Sequence, residues 1–150
     1  MATTSNPETT RAAFGIVNPI LHVADVAASI EYYVDKCGFK RNWQTDIFAS
    51  VYRGDVNLFL CSDEQGQSGS WLWINVEDAD ALFAEYTESG AKIRNPPQNF
   101  AWGYELQVED LDGNVLRLGS DRKDGPLGVW LRDDGSRWRQ IDMERWERAE

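Results

Sequence analysis

Hydrophobic and polar positions along the chain run through one programme twice. A first strand is predicted at residues 17–23, with Pro19 near its start, where a missing N–H is best tolerated. Asp25 offers a helix N-cap, and Ile30, Tyr33, Val34 and Cys37 recur at helical spacing as far as a terminator at Gly38. A run at residues 48–52, a turn at Gly54-Asp55 and the alternation Val56-Asn57-Leu58-Phe59-Leu60 predict a hairpin. Alternation places Val56, Leu58 and Leu60 on one face of it and Asn57 and Phe59 on the other. After a polar loop at residues 62–70 the order restarts. It brings a strand at 71–76, an N-cap at Asp78, a helical stripe of Leu82, Phe83 and Tyr86, and a stop at Gly90. A short strand at 92–94, an Asn95-Pro96-Pro97-Gln98-Asn99 loop, and strands at 104–108 and 114–118 joined by a turn at 110–113 complete the second pass.

The two passes also correspond residue by residue. Leu21-His22-Val23-Ala24-Asp25 matches Ile74-Asn75-Val76-Glu77-Asp78 at an offset of 53, which also sets Ala28 on Ala81 and Tyr33 on Tyr86; Leu58 and Leu60 match Leu116 and Leu118 at an offset of 58. Such a long period points to a duplicated βαβββ unit. The expected fold is α+β: paired modules at about 14–62 and 70–120 form one domain, 14–120, of curved mixed sheets. In each module a helix covers one sheet face and the concave face is left for a partner sheet or a ligand. Residues 1–13 are polar and unpatterned, a loose arm. Residues 121–150 belong to neither copy. Positions 129–138 suggest a hairpin and 141–148 a short helix with Met143 and Trp146 inward, and three tryptophans favour docking on this domain or on a second copy.

Composition narrows the function. The net charge of −10 opposes binding to nucleic acid or anionic membranes and favours cationic ligands; residues 1–120 carry 17 acids against 8 bases, and 121–150 carry 8 against 7. No run approaches the roughly 20 apolar residues of a membrane span, and the first residues lack the features of a secretory signal, so a cytoplasmic location is expected. Cys37 and Cys61 lack CxxC spacing and read as reduced thiols. His22 is the sole histidine, so a His₂-carboxylate metal centre within one subunit is impossible, and no Ser or Cys partner is evident for it. Asp112-Gly113-Asn114 is a turn, lacking phosphate-loop spacing. Seven tryptophans are far above ordinary usage, and Trp71 and Trp73, two apart on one strand, should share a face.

Residues 47–60, Trp71-Leu72-Trp73-Ile74 and the stretch from Trp102-Gly103-Tyr104-Glu105 to Asp112-Gly113-Asn114 resemble the bleomycin resistance branch of the glyoxalase, bleomycin resistance and extradiol dioxygenase (vicinal oxygen chelate) superfamily. The opening from Leu21 to Tyr33 is similar to that superfamily's first strand and helix. The resemblance covers about residues 17–120 and leaves the last 30 unexplained. It implies a homodimer with two crevices shaped by both subunits. In the drug-binding members it also implies an acidic protein without a metal of its own, which sequesters a cationic drug unmodified. Phe48, Trp71 and Trp102 fall where those proteins place crevice aromatics, with Trp73 left to packing. The metal-ligand positions of the superfamily's enzymes correspond to Asn18, Trp71 and Arg117, an unsuitable set.

The resulting expectation is non-catalytic binding of a planar, cationic aromatic molecule such as a bleomycin-type antibiotic, alone or metal-chelated, with no cofactor, metal or catalytic residue of the protein's own. Its groove would draw on Phe48, Phe59, Trp71, Trp102 and Tyr104, with Asp46 and Glu105 as counter-charges, unless Arg117 neutralises Glu105. Two alternatives stand beside it: a metal-independent isomerase or lyase using Glu105 or His22, and a structural or regulatory dimer module whose groove the tail occludes.

Overall fold

The computed structural model describes residues 11–149, so most of the expected N-terminal arm lies outside the described residues. The first module runs β1 (Ile20–His22), α1 (Val26–Asp35), β2 (Lys40–Gln44), β3 (Phe48–Arg53) and β4 (Val56–Cys61). The second runs β5 (Trp71–Asn75), α2 (Ala79–Ser89), β6 (Lys92–Phe100), β7 (Gly103–Glu109) and β8 (Val115–Ser120). Strand orders are β1-β4-β3-β2 and β5-β8-β7-β6; the β1–β4 and β5–β8 pairs are parallel and the rest antiparallel. The duplicated α+β architecture is therefore realised strand for strand. No helix among the described residues is long and apolar enough to cross a membrane.

The repeat extends to the caps. Asp25 Oδ1 accepts from Ala28 N and Asp78 Oδ1 from Ala81 N, each at 3.0 Å, so each helix starts where its aspartate satisfies a free N–H. Gly90, at φ 86°, closes α2 in the left-handed region that favours glycine. One core joins the modules, and the two matched tyrosines bond across it: Tyr33 donates to Asp110 Oδ2 (2.9 Å) and Tyr86 to the Cys37 carbonyl (2.8 Å). Burial, with the Asp110 charge beside it, holds the Tyr33 hydroxyl well above its ordinary range, so it remains a donor. Both cysteines are free and buried, and burial pushes the Cys37 thiol up to about 12.

Three segments differ from the sequence reading. Strand β2 is exposed at all five positions, so it has no apolar alternation to betray it. Strand β6 continues through the predicted proline loop. It is an edge strand with register shifts between Ile93 and Asn95 and between Asn95 and Gln98, which accommodates Pro96 and Pro97 at little loss of ladder bonding. The tail forms a third sheet, order β11-β10-β9, from β9 (Val129–Leu131), β10 (Arg137–Gln140) and β11 (Trp146–Arg148). Its β9–β10 hairpin follows the expectation; the helix expected at 141–148 does not form. Asp142 Oδ1 accepts from the backbone of Glu144 and Arg145 (3.0 and 2.9 Å), and Ile141 N reaches the Arg145 carbonyl (2.9 Å), closing a turn that leads into β11.

Candidate functional site

Side chains of β5, β7 and β8 that alternate away from α2 form a connected polar line beneath a set of indoles. Glu105 is 1% exposed and fully engaged. Its Oε1 accepts from Trp102 Nε1 (2.6 Å) and Arg117 Nη2 (2.8 Å), and its Oε2 from Arg117 Nε (2.9 Å) and Gln107 Nε2 (3.3 Å). Pairing makes that burial tolerable, since an unpaired buried carboxylate would be strongly disfavoured. The Arg117 guanidinium lies 5.0, 5.1 and 5.6 Å from the ring centroids of Trp130, Trp73 and Trp102. Gly119 and Gly103 on the adjoining strands leave room for the Trp73 ring; a Cβ at Gly119 would collide with it.

The tail roofs this surface. Trp130 pairs across strands with Trp138, which pairs with Arg148, while Gln140 pairs with Trp146. With a period of two, Trp130 and Arg132, Trp138 and Gln140, and Trp146 and Arg148 therefore share one face. That face turns toward the second module: Trp130 stacks on Trp71 (6.0 Å, 26°) and meets Trp102 and Phe100 edge-on at 5.9 and 5.7 Å. Phe100, wholly buried, stacks on Trp102 at 4.9 Å. The tail is fastened from β6: Arg94 donates to the Leu131 carbonyl (3.0 Å) and Asp133 (3.1 Å) and lies 4.7 Å over Trp71, and Gln98 Oε1 accepts from Val129 N (3.0 Å). Between the sheets lies an open basin of about 770 Å³, lined by Trp73, Trp102, Arg117, Trp130, Arg132, Trp138 and Trp146.

The residues expected to share one groove are distributed differently. Trp102 lines the basin and Glu105 supports it from below, but its carboxylate, saturated by Arg117, Trp102 and Gln107, is no free counter-charge. Trp73 occupies the lining, whereas Trp71, on the same face and 37% exposed, is sandwiched between Trp130 and Arg94 and borders two smaller hollows. Tyr104 alternates to the opposite side from Glu105. It donates to Asp80 Oδ1 (2.6 Å) beneath the Lys123 ammonium, and burial, then that bond, push its hydroxyl up to about 12.

Phe48 and Phe59 meet on the first module, 5.6 Å apart, with Trp43 packed on both at 5.8 and 5.9 Å; Asp46 is exposed in the adjoining β2–β3 turn. His22 is half-buried at the end of β1, its carbonyl bound by Asn114 Nδ2 (3.2 Å). Sequence reasoning missed Trp130, Arg132, Trp138 and Trp146 as lining. Their signal was present as Trp-Leu-Arg, Trp-Arg-Gln and Trp-Glu-Arg recurring every eight residues.

Residues 15–118 match the superfamily described as Glyoxalase/Bleomycin resistance protein/Dioxygenase. No curated protein matches the chain significantly. Among solved structures, the bleomycin-binding protein from bleomycin-producing Streptomyces verticillus, complexed with copper(II)-bleomycin, is 26% identical across 75% of this chain and 100% of its own, with a TM-score of 0.62. TnmS3, an antibiotic binding protein from Streptomyces sp. CB03234, is 25% identical across 74% and 99%, with a TM-score of 0.65. TioX from Micromonospora sp. ML1, at 20% identity across 74% and 99% and a TM-score of 0.60, shares the fold. The family match ends before β9, so Trp130, Trp138 and Trp146 lie outside it.

No group of three or more His, Cys, Asp or Glu side chains among the described residues could hold a metal ion. Asn18 Oδ1 is taken by Asn57 Nδ2 at 3.1 Å, and Arg117 carries a fixed positive charge paired with Glu105. The donor set of a classical metal-dependent glyoxalase I or extradiol dioxygenase is therefore missing from these residues, although the match from residue 15 to 118 and the duplicated βαβββ topology agree: the chain belongs to the Glyoxalase/Bleomycin resistance protein/Dioxygenase superfamily.

Proposed function

We propose that this chain binds and sequesters a planar aromatic small molecule in the tryptophan basin without altering it. The lining carries this reading: five indoles and two guanidiniums around about 770 Å³, a volume suited to a polycyclic ligand. A ring placed between indole faces gains about 0.5–1.5 kcal/mol per aromatic pair beyond area burial. The lining consists of tryptophan and arginine and offers no imidazole, carboxylate, thiol or hydroxyl to relay a proton. That chemistry favours binding over the isomerase or lyase alternative. Titration with neutral 1-pyrenemethanol tests the reading. A saturable change in tryptophan emission, matching heat by calorimetry and recovery of unchanged probe are expected. Absence of both signal and heat would overturn the site, and a chemically altered probe would overturn sequestration.

A second reading is favoured by the likeness to the Streptomyces verticillus protein and by the Trp43, Phe48 and Phe59 cluster of the first module. There the ligand would be a bleomycin-type cation, metal-free or copper-loaded, held for resistance in a groove completed by a second copy of the chain, with Asp46 as counter-charge. Calorimetric titration with both forms of bleomycin discriminates. Binding weakened by Phe48→Ala and indifferent to Trp130→Ala supports this second reading, and the reverse pattern places the ligand in the basin.

A further inference from the structure

The charges around the basin run against those of the chain. The protein carries a net charge of −10, yet both charged residues in the lining, Arg117 and Arg132, are cationic. The nearby acids are already engaged. Glu105 lies beneath the lining with four donors, Asp133 accepts from Arg94 at 3.1 Å, and Asp134 Oδ1 accepts from Ser136 N and Oγ at 2.9 and 2.6 Å. Arg132 is exposed, and its guanidinium has no hydrogen-bond or ion-pair partner among the described residues. Arg117 commits Nε and one Nη to Glu105 and leaves Nη1 without a partner among them. A third arginine, Arg148, lies 5.7 Å from the ring centroid of Trp138 on the same tail face.

We infer that the basin selects an aromatic ligand bearing an anionic oxygen group, a planar aromatic acid, rather than an aromatic cation. This rests on the proposed binding of a planar ring in the basin and adds the ligand's charge. Indole faces alone favour a cation, but those of Trp73, Trp102 and Trp130 already meet the Arg117 guanidinium, so the choice of sign falls to the arginines. The Arg132 fork and the free edge of Arg117 supply charge-assisted donors that a carboxylate can accept bidentately and an ammonium cannot use. A cationic ring would meet indole faces already occupied by the Arg117 guanidinium and an Arg132 guanidinium without an ion-pair partner, with no carboxylate in the lining. The acidity read from the whole sequence therefore misstates the field at this site.

A matched ring series separates the two levels: 1-pyrenecarboxylate, neutral 1-pyrenemethanol and 1-pyrenemethylammonium, titrated by calorimetry and tryptophan emission against the full chain and an Arg132→Glu variant checked by circular dichroism. The expected order is carboxylate tightest, by about 10-fold over the ammonium, with the preference lost or inverted in Arg132→Glu and restored toward wild type in Arg132→Lys. Pyrenemethanol should bind wild type and variant alike. Equal affinity for carboxylate and ammonium, or tighter ammonium binding, with pyrenemethanol still bound would overturn the charge selection and leave the aromatic site standing. Failure of all three probes would overturn both.

Discussion

The two modules share one backbone plan, and at equivalent positions on it they carry opposite chemistry. Phe59 lies beside Ile20 on β1 and Ser50 on β3; Arg117 lies beside Trp73 on β5 and Gln107 on β7. The same register sets Phe48 against Glu105. In the first module this surface is an aromatic pair flanked by a short polar chain, in which Ser50 Oγ donates to Asn57 Oδ1 (2.6 Å) and Asn57 to Asn18. In the second it is an ion pair that needs indole and amide donors to be tolerated, and the tail lies over it. The lesson is that the duplicated scaffold fixes where a surface sits, while two residues per module decide whether that surface is apolar or charged.

Breaking the ion pair should have the largest effect. Arg117→Met leaves the Glu105 carboxylate buried without its strongest partner and should destabilise the fold by about 3–5 kcal/mol in urea unfolding. Giving the second module the first module's pair, Glu105→Phe with Arg117→Phe, should recover most of that loss, because neither charge remains buried. A double variant no more stable than Arg117→Met would show that the surfaces are not interchangeable. Trp130→Ala comes next, at about 2–3 kcal/mol, since Trp130 touches Trp71, Phe100 and Trp102. Amide exchange should rise across β9–β11 and stay unchanged in the first module. Phe59→Ala should be milder, about 1 kcal/mol, because the ring is only half-buried and its neighbours Trp43 and Phe48 stay in contact.

Much of the scaffold was legible because its cues are local. Asp25 and Asp78 cap the helices they were read to cap, and the Leu58/Leu60 and Leu116/Leu118 alternation reappears as buried core. The basin was less legible because its decisive contacts are remote in sequence. Arg94 must find Leu131 and Asp133, 37 and 39 residues away, before the tail has a place to lie. The Trp-x-Arg and Trp-x-Gln steps of the tail carry a strand period, but spread over three strands of three or four residues they resemble a hairpin and an unrelated short helix. Composition averages charge over the whole surface, so it does not show that Glu105 and Asp133 are paired locally with Arg117 and Arg94, or that the charged residues in the basin's lining are arginines.

The smallest effect concerns the root of the tail, where the second module again has what the first lacks. Lys123 Nζ donates to Asp80 Oδ2 and Tyr104 Oη to Asp80 Oδ1, each at 2.6 Å, tying the start of the tail to α2. The Lys123 bond, then the Tyr104 bond, hold the Asp80 carboxyl below its ordinary range. Its folded value being depressed, its contribution is complete above the unfolded carboxylate range near 4 and is lost as pH falls through the lower folded value. Both partners are solvent-accessible, so salt should weaken the tie in the same way. Protection factors at residues 121–128 should therefore fall as pH drops below about 4, once the intrinsic slowing of exchange at lower pH is divided out, and Asp80→Asn should show the lower protection already at neutral pH. Identical protection in wild type and Asp80→Asn at neutral pH would mean that the root of the tail is held without the Asp80 tie, by its bonds to β6 and its tryptophans.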